Sequence, residues 1–304
     1  MTKCCLVLLT VVGGAVGCSA GPTDSSPTVA TTRPTPAEAS SPDTRTVDET
    51  TATTSDRVGA DIVPSSTLAT PTTPIQASVS SSTPDPRPTV LLYTRTAGFR
   101  HESIAAASIA LTDALGLSGI ATITSEDPSA LSGDLNDYSA IVFLMTSGDA
   151  VDAAGQVTLE QYVRDGGGWV GVHSAADTEY DWPFYGELVG AYFAGHPEVQ
   201  PATVRVEAPE HEAMAGLPLK WQRVDEWYNF QLNPRPSVRV LATVDESTYV
   251  GGTMSPDHPV AWCHAVGNGM AFYTALGHTE EAWSDPAFVA HVVGGITSVI
   301  HRAC

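Results

Sequence analysis

The chain has 304 residues, of which 34 are Asp or Glu and only 14 are Lys or Arg, so its formal net charge is −20 at pH 7. This sign argues against nucleic acid and anionic lipid surfaces as partners, because a polyanion gains no counterion release from an acidic protein. We therefore expect a small neutral or cationic ligand, and membrane contact only through a covalent anchor.

The N-terminal segment, residues 1–18, has the pattern of an export signal. Lys3 precedes an apolar run that is too short to cross a bilayer stably, and small residues lead up to Cys18. That ending looks like a bacterial lipobox. It predicts cleavage before Cys18, a lipid such as palmitate on that residue, and a lipoprotein held at the cell membrane on the extracytoplasmic side. The alternative is an ordinary secretory signal in which Cys18 is incidental.

Residues 19–88 form a segment in which more than half of the side chains are Ser, Thr or Pro. So few apolar side chains cannot offset the entropy that ordering would cost. We expect a disordered linker with no catalytic role, which separates the anchor from the folded domain.

Residues 89–304 are long enough for one well-buried domain, and their first half alternates strands with helices. Short apolar runs predict the strands, and apolar residues at helical spacing predict the helices. The predicted strands are 89–93, 121–124, 140–144 and 169–172, and the predicted helices are 102–115 and 157–164. This alternation is typical of an α/β protein with a doubly wound, mainly parallel sheet.

The second half of the domain adds further strands. An aromatic-rich helix is predicted over 180–193, and an amphipathic helix over 285–301 closes the chain. The segments 203–207 and 238–243 alternate as exposed edge strands do, and more apolar strands follow at 259–265 and 270–274.

Three histidines, His101, His173 and His278, each follow a predicted strand. In open α/β sheets the carboxyl ends of the strands form the ligand-binding edge, so we expect these imidazoles to converge on one pocket. His173 can transfer a proton or bind a metal, but it lacks the hydroxyl or thiol of an acyl-forming nucleophile. The alternatives are a helix cap for His101 and a backbone hydrogen bond for His173.

Two carboxylates, Asp225 and Glu226, stand beside Trp227 and Tyr228. On a strand, neighbouring side chains face opposite sides, so only one of the two carboxylates can point into a shared pocket. We expect Glu226 to be that residue, as a general acid or base or as the group that orients a histidine. A solvated acidic turn is the alternative.

Aromatic side chains near the predicted site are candidates for binding a sugar face. We assign Trp262 and Trp283 to this role, together with Tyr228 and the neighbouring Asp225, although core packing is the commoner use of Trp. His196 and His211 are isolated in the sequence and lack the spacing of a helical metal motif. No cofactor is certain, but His101, His173 and His278 would suit a divalent metal such as zinc if the fold gathers them.

The two cysteines of the folded domain are Cys263 and Cys304. Outside the cytoplasm they would pair as one disulfide, and two unpaired buried thiols are the alternative.

Six segments, taken in order, resemble the motifs of the ThuA-like, or trehalose utilisation, family. They are Thr96 to Ile104, Gly171 to Ala175, Phe193 to Pro197, Asp225 to Tyr228, Pro259 to Trp262 and Phe272 to His278. The resemblance covers residues 89–300. It implies a flavodoxin-like fold similar to that of class I glutamine amidotransferases, and a link to carbohydrate use. The family pattern falls here on His101, His173, Asp225, Glu226 and His278.

Three functions are open at this point. The first is an extracytoplasmic enzyme that acts on trehalose or a keto-sugar, with His173 and Glu226 as a proton-transfer pair and His101 and His278 on the sugar oxygens. The second is a lipoprotein that binds a small carbohydrate without changing it. The third, a glutaminase or esterase, is disfavoured because His173 stands where those enzymes place Cys or Ser.

Overall fold

A nine-stranded mixed sheet forms the centre of the domain. The computed structural model describes residues 87–304, so the predicted export signal, Cys18 and nearly all of the predicted linker lie outside the described residues. The strands of the described part are β1 Thr89–Tyr93, β2 Ala121–Ser125, β3 Ala140–Leu144, β4 Gly168–Val172, β5 Phe193–Gly195, β6 Gln200–Val206, β7 Lys220–Asp225, β8 Asn229–Phe230, β9 Arg239–Val244, β10 Pro259–Val266 and β11 Gly269–Thr274. The α-helices are α1 Ile104–Leu117, α2 Ala153–Arg164, α3 Pro183–Val189 and α4 Pro286–His301.

The sheet has a parallel half and an antiparallel half. Its order is β2-β1-β3-β4-β11-β10-β9-β6-β7. The first five strands in this order run parallel, and each later neighbour pairs antiparallel. The predicted α/β class, with a doubly wound sheet and extra strands in the second half, is confirmed.

Helices cover both faces of the parallel half, as buried parallel strands require. Trp169 on β4 packs against Tyr185 of α3, with ring centroids 5.8 Å apart. Phe272 on β11 lies in register with the residue after Trp169, so it points to the other face. There it meets α4 at Gly295, where a Cβ would come within 2.3 Å of the Phe272 ring. Glycine at this position therefore lets α4 sit close on the sheet.

The antiparallel half bends back towards α4. Trp221 on β7 contacts His291 of α4, with ring centroids 5.8 Å apart, and Arg223 on the same strand forms an ion pair with Asp285 at the start of that helix. In the sheet order β7 is the far edge strand, four places from β11. The sheet must therefore be strongly coiled to bring β7 to α4. β-Sheets have a natural twist that permits such coiling.

Two predictions about the second half were wrong, and strand β7 was not predicted. The predicted helix over 180–193 is reduced to α3, because Gly190 ends it at a φ of 84° and the chain then forms β5. β6 and β9 are interior strands and not edges, because each has a partner on both sides. The edge strand β7, which pairs with β6, was missed because three of its six residues are charged, so the segment resembles a solvated loop more than a strand.

Cys263 on β10 and Cys304 at the chain end form a disulfide across 41 residues, which decides between the two sequence-based alternatives. The bond ties the end of α4 to the antiparallel half of the sheet. Among residues 87–304, no helix combines the length and the apolar character needed to cross a membrane.

We expect Cys304→Ser to lower the free energy of unfolding by about 2–4 kcal/mol, because the broken crosslink frees the unfolded chain. Urea unfolding of the oxidised wild type and of the variant would measure the difference. Reducing the wild type should give the same loss, whereas unchanged stability would show that the crosslink does not constrain this domain.

Candidate functional site

The three predicted histidines meet at the carboxyl edge of the parallel strands. His173 directly follows β4, while His101 and His278 lie in the loops after β1 and β11. The centroid of the His101 ring is 4.7 Å from that of His173 and 5.1 Å from that of His278, and the His173 and His278 rings are 5.2 Å apart. The predicted convergence of these imidazoles is therefore present in the structure.

Glu226 joins the histidines from the end of β7, which points to the same edge of the sheet as β11. Its Oε2 lies 3.4 Å from His173 Nε2 and 3.2 Å from His278 Nδ1. His173 Nε2 and His278 Nδ1 are themselves 3.2 Å apart. We call His101, His173, Glu226 and His278 the His/Glu cluster. Their ligand atoms all lie within 4.8 Å of one another, so the cluster has the composition and spacing to hold a metal ion.

His173 is fixed on every side. Its Nδ1 lies 2.7 Å from the carbonyl oxygen of Ala275, so Nδ1 carries a proton and Nε2 faces the cluster. Tyr273 donates to the His173 carbonyl oxygen, and the Tyr228 ring packs 4.3 Å from the imidazole. The backbone φ of His173 is 52°, a strained value for a residue with a side chain. The ring is fully buried, so it does not touch a ligand in the open cavity.

His101 lies at the boundary between the cluster and the cavity. Its Nδ1 is 3.3 Å from the hydroxyl of Ser174, and the Phe99 ring meets it edge-on at 4.9 Å. Burial lowers the pKa of His101 to about 3, and the nearby His173 and His278 lower it as well. The imidazole is therefore neutral at physiological pH. Ser174 is itself buried, and this contact engages its hydroxyl.

The charge of the cluster resides on Glu226. Burial alone would raise the pKa of this carboxyl, but its contacts with the imidazoles of His173 and His278 hold it well below its usual range. The hydrogen bond with Glu226 raises the pKa of His278 against the opposing effect of burial. Each of the two groups thus stabilises the charged form of the other.

Asp225 lies behind the cluster and supports its backbone. It does not have the substrate-binding role that the sequence suggested. It is fully buried, and its carboxylate accepts hydrogen bonds from the backbone N–H groups of Glu226, Gly277 and His278, each at 3.0 Å. As predicted for neighbours at a strand end, Asp225 and Glu226 point in different directions. Asp225 fixes the backbones of two cluster residues, Glu226 and His278.

A cavity of about 470 Å³ opens beside the cluster. His101 and His278 belong to its wall, and the His278 side chain is 25 % exposed. The rest of the wall is Phe99, Arg100, Glu102, Ser103, Val199, Thr279, Glu280 and Glu281. This mixture of polar groups with one exposed aromatic ring suits a small polar ligand that carries an apolar face.

The assignment of aromatic residues to sugar binding was wrong for the two Trp side chains. Trp262 is fully buried and donates to the Val189 carbonyl, while Trp283 packs on Phe288 and donates to Gly277. Neither Trp presents a face to the cavity, so both belong to the core, the alternative considered above. The aromatic ring that lines the cavity is Phe99, which is 65 % exposed.

Sequence reasoning missed His196. Its Nδ1 lies 3.0 Å from Glu226 Oε1, and its side chain is 41 % exposed. It stands in the Gly195-His196-Pro197 turn directly after β5, and its position after a strand was the available signal. His211 is remote from the cluster: its Nδ1 accepts from the Ala213 N–H.

We expect Asp225→Asn to lower the free energy of unfolding by about 2–3 kcal/mol, because the amide would replace one buried acceptor by a donor. The new NH₂ group would face the N–H of Gly277 or of its neighbours, and the loop that carries His278 would shift. Chemical denaturation would measure the loss, with the exposed Asp113→Asn as the matched control. Equal stabilities of the two variants would contradict this role of Asp225.

Comparison with known proteins agrees with this architecture. The family model described as ThuA, trehalose utilisation, matches residues 89–298. Among solved structures, a ThuA-like protein of Bacteroides uniformis is 25 % identical with a TM-score of 0.60, over 70 % of this chain and 91 % of that one. A ThuA-like protein of Parabacteroides merdae is 21 % identical with a TM-score of 0.59, over 72 % and 91 % of the two chains. No match was found among curated proteins.

Proposed function

Because the chain belongs to the ThuA family of trehalose utilisation, we propose that it is an enzyme that acts on trehalose or a keto-sugar at the His/Glu cluster. The observation that carries the proposal is the convergence of three imidazoles and one carboxylate beside an open cavity. Titratable groups gathered in this way at the carboxyl edge of a sheet are typical of catalytic sites.

The exposure of each cluster residue suggests its role. His101 and His278 line the cavity, so they are the imidazoles that a bound sugar can reach. We assign His101 to removal of a proton from a sugar carbon or hydroxyl, because it is uncharged and lines the cavity, and because Ser174 engages its Nδ1 and leaves Nε2 as the nitrogen that can act as a base. Buried His173 becomes a positioning residue and not the proton-transfer group expected from the sequence.

The opposite side of the cluster would stabilise the negative charge that develops on a sugar oxygen. His278, whose charged form Glu226 stabilises, lies close to His101. A base on one side and a cationic group on the other match the charge changes when a proton leaves the carbon beside a ketone. His196 connects the outer oxygen of Glu226 to solvent.

Loss of the proposed base should lower turnover by about 10²–10⁴-fold, the usual contribution of general base catalysis. We expect this loss in His101→Ala, with trehalose and its keto derivatives as substrates and mass spectrometry of the products as the measurement. The control is His301→Ala, which removes an exposed histidine far along α4.

Equal turnover by His101→Ala and the wild type would contradict the assignment of His101. Calorimetric binding of intact sugar by the wild type, without any product, would instead favour the second candidate, a sugar-binding lipoprotein. The exposed Phe99 ring on the cavity wall is the observation in favour of that candidate.

We also propose that the protein is exported and anchored through a lipid on Cys18. The lipobox-like ending of residues 1–18 supports this proposal, and so does the disulfide, since disulfides persist in oxidising compartments.

We expect Cys18→Ser to move the protein from the membrane fraction to the soluble fraction and to abolish incorporation of labelled palmitate. A Cys304→Ser variant, which keeps Cys18, is the matched control. Persistent membrane association of Cys18→Ser would contradict the lipid anchor.

A further inference from the structure

We propose that His173 Nε2, His278 Nδ1 and Glu226 Oε2 bind one divalent transition-metal ion of the zinc type, with His101 beside the remaining coordination position. The proposal deepens the proposed function, on which it rests only for what the ion does to a sugar. Binding of the ion is measured without a sugar, so the two proposals can fail separately.

The three donor atoms have the spacing of a zinc site. The distances are 3.2 Å between the two imidazole nitrogens, 3.4 Å from His173 to Glu226 and 3.2 Å from His278 to Glu226. Ligands at 2.0–2.1 Å from a tetrahedral zinc ion lie about 3.3 Å apart. The atoms thus form one nearly regular face of such a tetrahedron. The fourth member of the cluster, His101, also has a ligand atom within 4.8 Å of each of the others.

Protons alone do not satisfy these three contacts. The bond to Ala275 places the proton of a neutral His173 on Nδ1, so its Nε2 presents a lone pair to the carboxylate of Glu226, which is also an acceptor. One proton on His278 Nδ1 can serve only one of its two neighbours. A proton on His173 Nε2 would point at the N–H of His278, 3.2 Å away. A cation in the centre satisfies all three atoms at once.

The charge balance points the same way. The side chain of Glu226 is 9 % exposed, and its ion-pair partners among residues 87–304 are the histidines 173, 196 and 278. No Lys or Arg of the described residues pairs with it. A carboxylate at this depth needs a compensating positive charge. When the divalent ion binds, it takes the place of the proton on His278 Nδ1 and supplies that charge.

The surroundings resemble the outer shell of a metal site. A metal-bound histidine usually donates its second nitrogen to a carbonyl or carboxylate, as His173 does to Ala275. His196 holds the second oxygen of Glu226, and Asp225 fixes the backbones of Glu226 and His278. These contacts orient all three donors before any ion arrives.

The donor set selects the ion and leaves room for chemistry. Two imidazoles and one carboxylate suit zinc and its neighbours in the first transition row, whereas Mg²⁺ and Ca²⁺ prefer oxygen ligands alone. Two His and one Glu also recur in catalytic zinc sites, where the fourth position stays open. Here that position adjoins His101 and the cavity, so a sugar oxygen could bind the ion within reach of the proposed base.

The test uses the full chain, stripped with a chelator and then titrated calorimetrically with zinc chloride alone. We expect one ion per chain and a rise in melting temperature with zinc, because the ion binds only the folded state. Glu226→Gln and His278→Ala should each weaken the affinity for zinc at least 100-fold and abolish the thermal shift. His301→Ala, which disrupts the exposed pair with Glu212, should change neither.

Three results would overturn the proposal. They are no stoichiometric binding of zinc, equal binding in Glu226→Gln and the wild type, or equal affinity for magnesium. Glu226→Gln keeps the shape of the side chain, so it carries the test if His278→Ala fails to fold. Zinc binding without turnover of any sugar would leave the metal site standing and remove the proposed function. Turnover by a chain that binds no metal would do the reverse.

Discussion

The carboxylate of Asp225 is the constraint on which the site depends. It lies at the end of β7, the far edge of the antiparallel half, yet it accepts the N–H groups of Gly277 and His278 at the end of the parallel half. A fully buried carboxylate with three N–H partners is expensive to displace, because any lost partner leaves charge unpaired in the interior. This one side chain therefore fixes the coil of the sheet at the point where Glu226 must meet the histidines.

His173, the residue with the strained backbone, is held mainly by contacts from β11 and the loop after it. His173 adopts a positive φ directly after β4, a conformation that costs free energy for a residue with a Cβ. Its carbonyl is held by Tyr273, its Nδ1 by the Ala275 carbonyl, and its face by Tyr228. Two of these contacts come from β11 and the loop after it. The pairing of β4 with β11 thus holds both the backbone and the ring of His173 in place.

How far the site could be predicted depended on whether its members follow strands of the parallel half. His101, His173 and His278 do, and the general behaviour of such sheets was enough to place them together. His196 and the role of Asp225 were not predictable in this way, because His196 follows β5 of a separate two-stranded sheet and Asp225 ends β7 at the edge of the antiparallel half. The assignment of Trp262 and Trp283 to sugar binding failed for a different reason. The sequence does not show which ring faces the core covers, and here the core covers both faces of each ring.

The acidity of the chain gives the cluster a particular electrostatic setting. With a net charge of −20, the molecule attracts cations towards its surface and repels anions. The cluster places a buried carboxylate among imidazoles whose remaining lone pairs face inward, so a positive charge at its centre is favoured both locally and by the whole field. A proton on His278 meets this requirement only in part, because the contact of His173 with Glu226 stays unsatisfied. A divalent ion would satisfy every contact, and the negative charge of the molecule would strengthen its binding.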